Sequence, residues 1–405
     1  LLDLVCLLNF NCLISFNLLN LIVNYPLPII NYQLSIAFPG GGIIMEQILL
    51  SGYYGFNNAG DEAILAALIA GLKEEISDLK IIVLSSNPEF TEELHQVTAI
   101  DRLNLREIIY YLRQSDLLIS GGGSLLQDVT SYKNIPYYLA IIWLAKLTRT
   151  PVFFCAQGVG PINAKLNQKL VAFTLNRVEL ITVRDQNSQQ LLKSIGVQNE
   201  VKYTTDLVFN LSSAPAEEIE NILLEEGINF NPLTIGISVR PWGENDYLKE
   251  LAPVVDGLIE QLDVQIVLIP LHHPADWEVS QLLQEQLNNS VKVLSGNYAP
   301  QQLIGLIANC DLMLGVRLHS LIFAAVARVP VAGISYDPKI DSFLGQLDLA
   351  PVAAIDDFNS QFVQQKLVSI WNNREEQLDQ TKDKLTKLQS LAATNFKLAH
   401  QKLSD

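Results

Sequence analysis

The chain has 405 residues, room for two or three domains with full cores, and 49% of it is hydrophobic against 17% charged. Lys+Arg of 27 against Asp+Glu of 43 leaves −16 at pH 7 with no Lys/Arg-rich run, which argues against a nucleic-acid partner and against broad polybasic attraction to a membrane. A small anionic substrate would have to be held by a few local arginines against that overall field.

The four cysteines, Cys6, Cys12, Cys155 and Cys310, form neither CxxC nor Cys/His clusters, so no metal site or disulfide framework is indicated. Cys155 and Cys310 lie in apolar runs and read as core residues of a protein in a reducing cytoplasm. Residues 1–44 carry one charge, Asp3, and mix Leu, Ile and Phe with many Asn. Residues 1–23 are long enough for a membrane anchor, but Asn9, Asn11, Asn17 and Asn20 weaken it and no Lys or Arg flanks it. A strand starts directly after Met45, which favours the alternative, that 1–44 is a non-native extension before the true start.

In chain order, 47–51 reads as a strand, followed by a Gly/Asn loop and a helix over 61–76. Strands at 81–84, 117–120, 152–156 and 180–183 alternate with helices at 105–114, 135–147, 166–178 and 188–195. Residues 211–232, with Ser212, Ser213, Pro215, Pro232 and an acidic stretch, break the rhythm and read as a linker. Alternation resumes with strands at 233–239, 265–269, 291–294, 312–314 and 331–335. Helices at 247–261, 277–287, 301–308 and 318–327 lie between them, and 374–400 is an amphipathic helix. This pattern predicts an α/β protein with two Rossmann-like domains on parallel sheets, 45–210 and 233–350, a cleft between them, and a C-terminal helical segment, 351–405.

Strand ends are where such folds bind ligands. The loop after the first strand, 52–62, contains Asn58 and Asp61 at a helix start; Asp61 is either a cap or a partner for glycan hydroxyls. It is not the dinucleotide fingerprint, because GxGxxG is absent. Gly121, Gly122 and Gly123 end another strand, with Gln127 and Asp128 just beyond, and Gln157 opens a third loop. Arg184, Arg240, His272, Arg317 and His319 all end strands. Arg317 and His319 lie two residues apart, flanking Leu318 and followed by Ser320, and so offer an anion fork beside a proton carrier. For each arginine a surface salt bridge is the competing reading.

YYGFNNAGDEAIL (53–65), ISGGGSLLQD (119–128), AQGVGPI (156–162), VRDQNS (183–188), GISVRPW (236–242), IPLHH (269–273), GVRLHSLIFA (315–324) and ISYDPKI (334–340) together resemble the polysaccharide pyruvyl transferase family, most closely its bacterial cell-wall members. The resemblance covers nearly the whole chain after Met45. It implies a GT-B-like fold and transfer of pyruvate from phosphoenolpyruvate, a co-substrate rather than a cofactor, to a glycan sugar as a cyclic ketal with release of phosphate. For the cell-wall members it implies a lipid-linked or polymeric acceptor containing N-acetylmannosamine, ketalised at the 4- and 6-hydroxyls. Such an enzyme works in the cytoplasm, and contact with the inner membrane face through the acceptor's lipid fits it. On this reading His319 is the general acid, and Arg317 with Arg184 or Arg240 clamps the anion. Asp61 orients or deprotonates the acceptor. Asn58, Gly121, Gly122, Gly123, Gln127, Asp128, Gln157, His272, Leu318 and Ser320 line the substrate site. A nucleotide-sugar glycosyltransferase and a non-catalytic glycan-binding protein on the same scaffold are the alternatives.

Overall fold

Short apolar runs without alternation suit strands covered on both faces, the mark of parallel sheets. The computed structural model describes residues 45–129, 134–229 and 232–405, so both readings of 1–44 lie outside the described residues. The first half runs β1 (Gln47–Ser51), α1 (Ala59–Glu75), β2 (Lys80–Ser85), α2 (Pro88–His95), β3 (Thr98–Asp101), α3 (Leu105–Leu112), β4 (Leu117–Gly121), α4 (Asn134–Thr148), β5 (Val152–Gln157), α5 (Lys165–Leu175), β6 (Leu180–Val183), α6 (Gln186–Ser194) and β7 (Lys202–Tyr203). A 3-10 turn (Leu207–Asn210) and α7 (Ala216–Glu226) lead to β8 (Thr234–Ser238), α8 (Tyr247–Leu262), β9 (Gln265–Leu268), α9 (Ala275–Gln286), β10 (Lys292–Val293), α10 (Pro300–Ile307) and β11 (Leu312–Gly315). The chain then continues through α11 (Leu318–Val326), β12 (Val331–Ser335), α12 (Pro338–Gln346), β13 (Ala353–Ala354), α13 (Ser360–Asn372) and α14 (Arg374–Ser404).

The strands form two parallel sheets, ordered β3-β2-β1-β4-β5-β6-β7 and β10-β9-β8-β11-β12-β13. Strand order reverses between β1 and β4 in the first sheet and between β8 and β11 in the second. Each reversal leaves a crevice beyond the strand ends, and the loops that follow these four strands flank it.

α1 joins the halves. Ala63 to Ile69 is an unbroken apolar run, buried on every side, as expected for a helix covered by protein all round. It packs against α10 of the second half, and the 3-10 turn packs against α11. One apolar cluster therefore runs through Ile64, Leu68, Phe209, Ile304, Phe323 and Phe396. A second, with Leu251, Val255, Leu367 and Trp371, lies within the second half.

Residues 211–232 are not an open linker. They contain α7, whose Ile219 and Ile222 are buried, and Ile219 packs against Gly305 of α10. The acidic composition reads as solvated, but a helix can turn its acids outward and still bury one stripe. The C-terminal segment is likewise shared: β13 extends the second sheet, and α14 returns to α1, β5 and the 3-10 turn. There the buried Asn395 Oδ1 accepts from Thr182 Oγ1 at 2.7 Å and Thr204 Oγ1 at 3.4 Å, with Cys155 Sγ at 3.8 Å.

Candidate active site

Two loops from the first half and two from the second meet at α1. Asn58 caps α1, its Oδ1 accepting from Gly60 N at 3.2 Å while its Nδ2 donates to Asp61 Oδ2 at 2.6 Å. Gly60 is required by what lies above it: a Cβ there would sit 2.1 Å from His319 Nδ1. Gly121, Gly122 and Gly123 turn beneath the same helix. Gly122 has φ +73°, and a Cβ on it would come 1.8 Å from Ile64 Cγ2, so only glycine lets the turn approach α1 this closely. The halves are stitched across this point by Ala59 N donating to Leu271 O at 3.0 Å and by a strand-like pairing of Asn58 with His272.

Arg184, Asp206 and Lys339 line one chamber, and Asp61 and His319 each lie within electrostatic reach of all three. Arg184, almost fully buried, donates from Nη1 to Asp206 Oδ2 at 2.7 Å and from Nη2 to Ser124 Oγ at 3.0 Å. Asp206, from the segment after β7, also caps the 3-10 turn and lies 3.8 Å from His319 Nε2. That nitrogen is buried and has no hydrogen-bond partner among the described residues. Lys339 lies 3.6 Å from Asp337. Arg184, Asp206, Leu318 and Lys339 line a space of about 20 Å³.

Burial and charge set unusual proton affinities here. Asp61 is pushed up to about 7, by burial first and then by the Glu62 carboxylate, with Arg184 opposing. His319 is pushed down to about 4 by burial; Asp206 opposes the shift, while Arg184, Arg317 and Lys339 add to it. Burial also lowers the Lys339 ammonium, against the pull of Asp337. At neutral pH these shifts leave a neutral imidazole and a carboxyl near its midpoint.

The other expected residues separate from the chamber by physical cause. Arg317 forms a two-pronged ion pair with the fully buried Asp276 of α9, so its fork is committed within its own half. Arg240 lies on the rings of Tyr336 (4.2 Å) and Trp242 (5.9 Å), with its guanidinium donating to Tyr336 Oη. His272 is near Arg317 and Asp276, and burial, then Arg317, lowers its proton affinity.

Several act on the fold instead. Ser320 is buried and donates to Arg317 O at 2.7 Å. Gln127 Oε1 accepts from Val129 N at 3.0 Å. Asp128 receives Asn163 N at 2.8 Å, Ala164 N at 2.9 Å and Asn167 Nδ2 at 3.1 Å. Burial works against its charge, but those donors outweigh it and hold the carboxyl below its usual range. Gln157 follows a bulge where Ala156 has φ +45°; its Nε2 donates to Ser120 O at 2.8 Å, and its buried Oε1 is unpartnered among the described residues. Asp206, Lys339 and Asp276 were not expected. Lys339 lies inside the 334–340 motif, whereas Asp206 and Asp276 follow strand ends without glycine or cationic neighbours to mark them.

A family model for polysaccharide pyruvyl transferase matches residues 58–338. AmsJ, an amylovoran biosynthesis protein of Erwinia amylovora, is 23% identical over 367 residues, covering 76% of this chain and 88% of that protein. The UDP-GlcNAc 2-epimerase of Neisseria meningitidis, solved with UDP-GlcNAc, superposes with a TM-score of 0.60 at 15% identity, covering 88% of this chain and 99% of its own. HepE of Anabaena, solved with UDP and glucose, gives 0.57 at 16% identity over 89% and 99%. These two likenesses establish the GT-B-like fold alone.

Proposed function

The chain belongs to the polysaccharide pyruvyl transferase family, and on that premise we propose that its donor is phosphoenolpyruvate and its acceptor a wall glycan bearing N-acetylmannosamine, ketalised at the 4- and 6-hydroxyls. The observation that carries this reading is the chamber itself: two proton carriers with inverted affinities, Asp61 near 7 and His319 near 4, beside the cations Arg184 and Lys339. Phosphoenolpyruvate brings a carboxylate and a phosphate, and these cations are suited to receive them.

Protonated Asp61 delivers its proton to C3 of the enol, leaving C2 electrophilic. The first sugar hydroxyl attacks C2 and its proton passes to the vacant Nε2 of His319. The imidazolium, steadied by Asp206 at 3.8 Å, hands that proton to the phosphate oxygen as the C2–O bond breaks. The second hydroxyl closes the ketal and returns its proton to Asp61. Every proton is accounted for, and no metal or resident cofactor enters the scheme.

A space of about 20 Å³ admits water but not phosphoenolpyruvate, so its walls must move apart for substrate to arrive. A groove of about 470 Å³, bounded by Gln186, Asn187 and Tyr203, shares Ser342 and Gln346 with the chamber wall and gives the acceptor an approach.

The test is phosphate release with phosphoenolpyruvate and a lipid-linked N-acetylmannosaminyl acceptor, followed by product mass. Acceptor-dependent release with a ketal-sized gain is expected. Arg184→Ala and Lys339→Ala should raise KM for phosphoenolpyruvate, and His319→Ala should lower kcat by roughly 10²–10⁴-fold. Near-normal turnover in His319→Ala removes that residue from the scheme. The Trp242–Tyr336 ring pair beside Arg240 favours one other reading, a nucleotide-sugar transferase. Thermal stabilisation by nucleotide sugars but not by phosphoenolpyruvate would select it.

A further inference from the structure

Whole-chain charge hides a local inversion of sign. Between Asp128 and Glu179 there is no acidic residue, while Lys133, Lys146, Arg149, Lys165, Lys169 and Arg177 fall inside that window. Its two helices, α4 and α5, lie side by side. Trp143 stacks on Phe173 with centroids 5.5 Å apart, and Trp143 Nε1 donates to Thr174 Oγ1 at 3.0 Å. Their inner faces are buried through Ile142 and Ala145 on α4 and Val171 and Leu175 on α5.

The outer faces are apolar and basic together. Leu166, Lys169 and Phe173 follow one another at spacings of three and four, which places them along one side of α5, and Arg177 stands two residues past its end. Leu166 is 56% exposed and Phe173 47%. Leu147, 61% exposed, lies one turn after Trp143 on α4. The Arg177 guanidinium covers the Phe173 ring at 3.7 Å. Lys146 is ion-paired with Glu179, whereas Arg149, Lys165 and Lys169 are exposed.

Large apolar side chains rimmed by one sign of charge, on helices that stay outside the hydrocarbon, are the composition of a surface that lies on a membrane. No helix among the described residues is long and apolar enough to cross one. We propose that the α4–α5 face seats on an anionic lipid surface. Leu147, Leu166 and Phe173 enter the headgroup layer, and Arg149, Lys165, Lys169 and Arg177 pair with lipid phosphates. The charge complementarity selects the occupant, since every charged side chain from 134 to 178 is basic and the two flanking acids are engaged, Asp128 by the start of α5 and Glu179 by Lys146. None of these residues belongs to the chamber, so lipid binding and pyruvyl transfer hold or fail separately.

Flotation of the full chain with vesicles tests this. Vesicles of phosphatidylglycerol and phosphatidylcholine should carry the protein, those of phosphatidylcholine alone should not, and added salt should release it. Each basic side chain near such a surface adds roughly fivefold to partitioning, so Lys165→Glu with Lys169→Glu should weaken binding roughly twenty-five-fold or more. Leu166→Ser with Phe173→Ser should weaken it as well, with both pairs keeping wild-type circular dichroism and turnover on a soluble acceptor. Failure to float with the anionic vesicles, or undiminished flotation of the folded variants, overturns the proposal. So does a dimer in sedimentation that the Leu166/Phe173 variant dissolves, because the face would then belong to a second copy of the chain.

Discussion

Replacing Asp61 by Asn should stabilise the protein and stop it working, with the stabilisation depending on pH. An unfolded Asp ionises near 3.8, while the folded carboxyl is pushed up to about 7. Between those values the folded state holds the extra proton, so stability falls as pH rises, and above about 7 the whole penalty is present. At about 1.4 kcal/mol per pH unit the upper bound is roughly 4 kcal/mol. Asp61 keeps partial contact with solvent, which trims this to roughly 2 kcal/mol, a gain in Tm on the order of 3 °C for so long a chain. Asn avoids that penalty and can still accept from Asn58 Nδ2 through its own carbonyl. Thermal melts of both proteins at about pH 5 and about pH 8 should show the variant's advantage mostly at the higher pH, with roughly a third of it at the lower. Phosphate release should fall at both. An advantage equal at the two pH values would refute the raised proton affinity, and undiminished turnover would refute the role.

Gly60→Ala places a methyl 2.1 Å from His319 Nδ1. Ala normally favours a helix over Gly by roughly 0.8–1 kcal/mol, so a lower Tm together with a lower kcat would locate the effect at the imidazole, and a raised Tm would show that the ring moves freely aside. Asp276→Ala leaves the Arg317 guanidinium buried without its partner and should cost about 3–5 kcal/mol in urea denaturation; a loss below about 1 kcal/mol would mean the pair is not holding the loop.

The crevice loops after β1, β4, β8 and β11 were legible because central parallel strands are largely apolar, with glycines marking the ends of β1 and β4 and Arg240 and Arg317 standing just past β8 and β11. Edge elements were not. α2 buries one residue of eight, Thr91, and β3 is half exposed, so neither leaves a periodic signal. Asp61, Arg184 and His319 could be singled out by position on the strand-end rim. Which carboxylate holds each arginine is a tertiary fact: Arg184 is bound by Asp206 and Arg317 by Asp276, forty-one residues earlier in the chain, and nothing in either motif shows it. The imidazole's lowered proton affinity was illegible for the same reason, since a sequence gives His319 its solution affinity and only the packed chamber depresses it.

Asn395 has a consequence for the order in which the molecule is made. The donors that converge on its carboxamide oxygen, Thr182, Thr204 and Cys155, belong to the half that leaves the ribosome first, while Asn395 is nearly two hundred residues behind Thr204. The first sheet can assemble early, but this clasp on it is translated much later. Completion of the earlier half therefore waits on synthesis of α14, after the whole second sheet has been made.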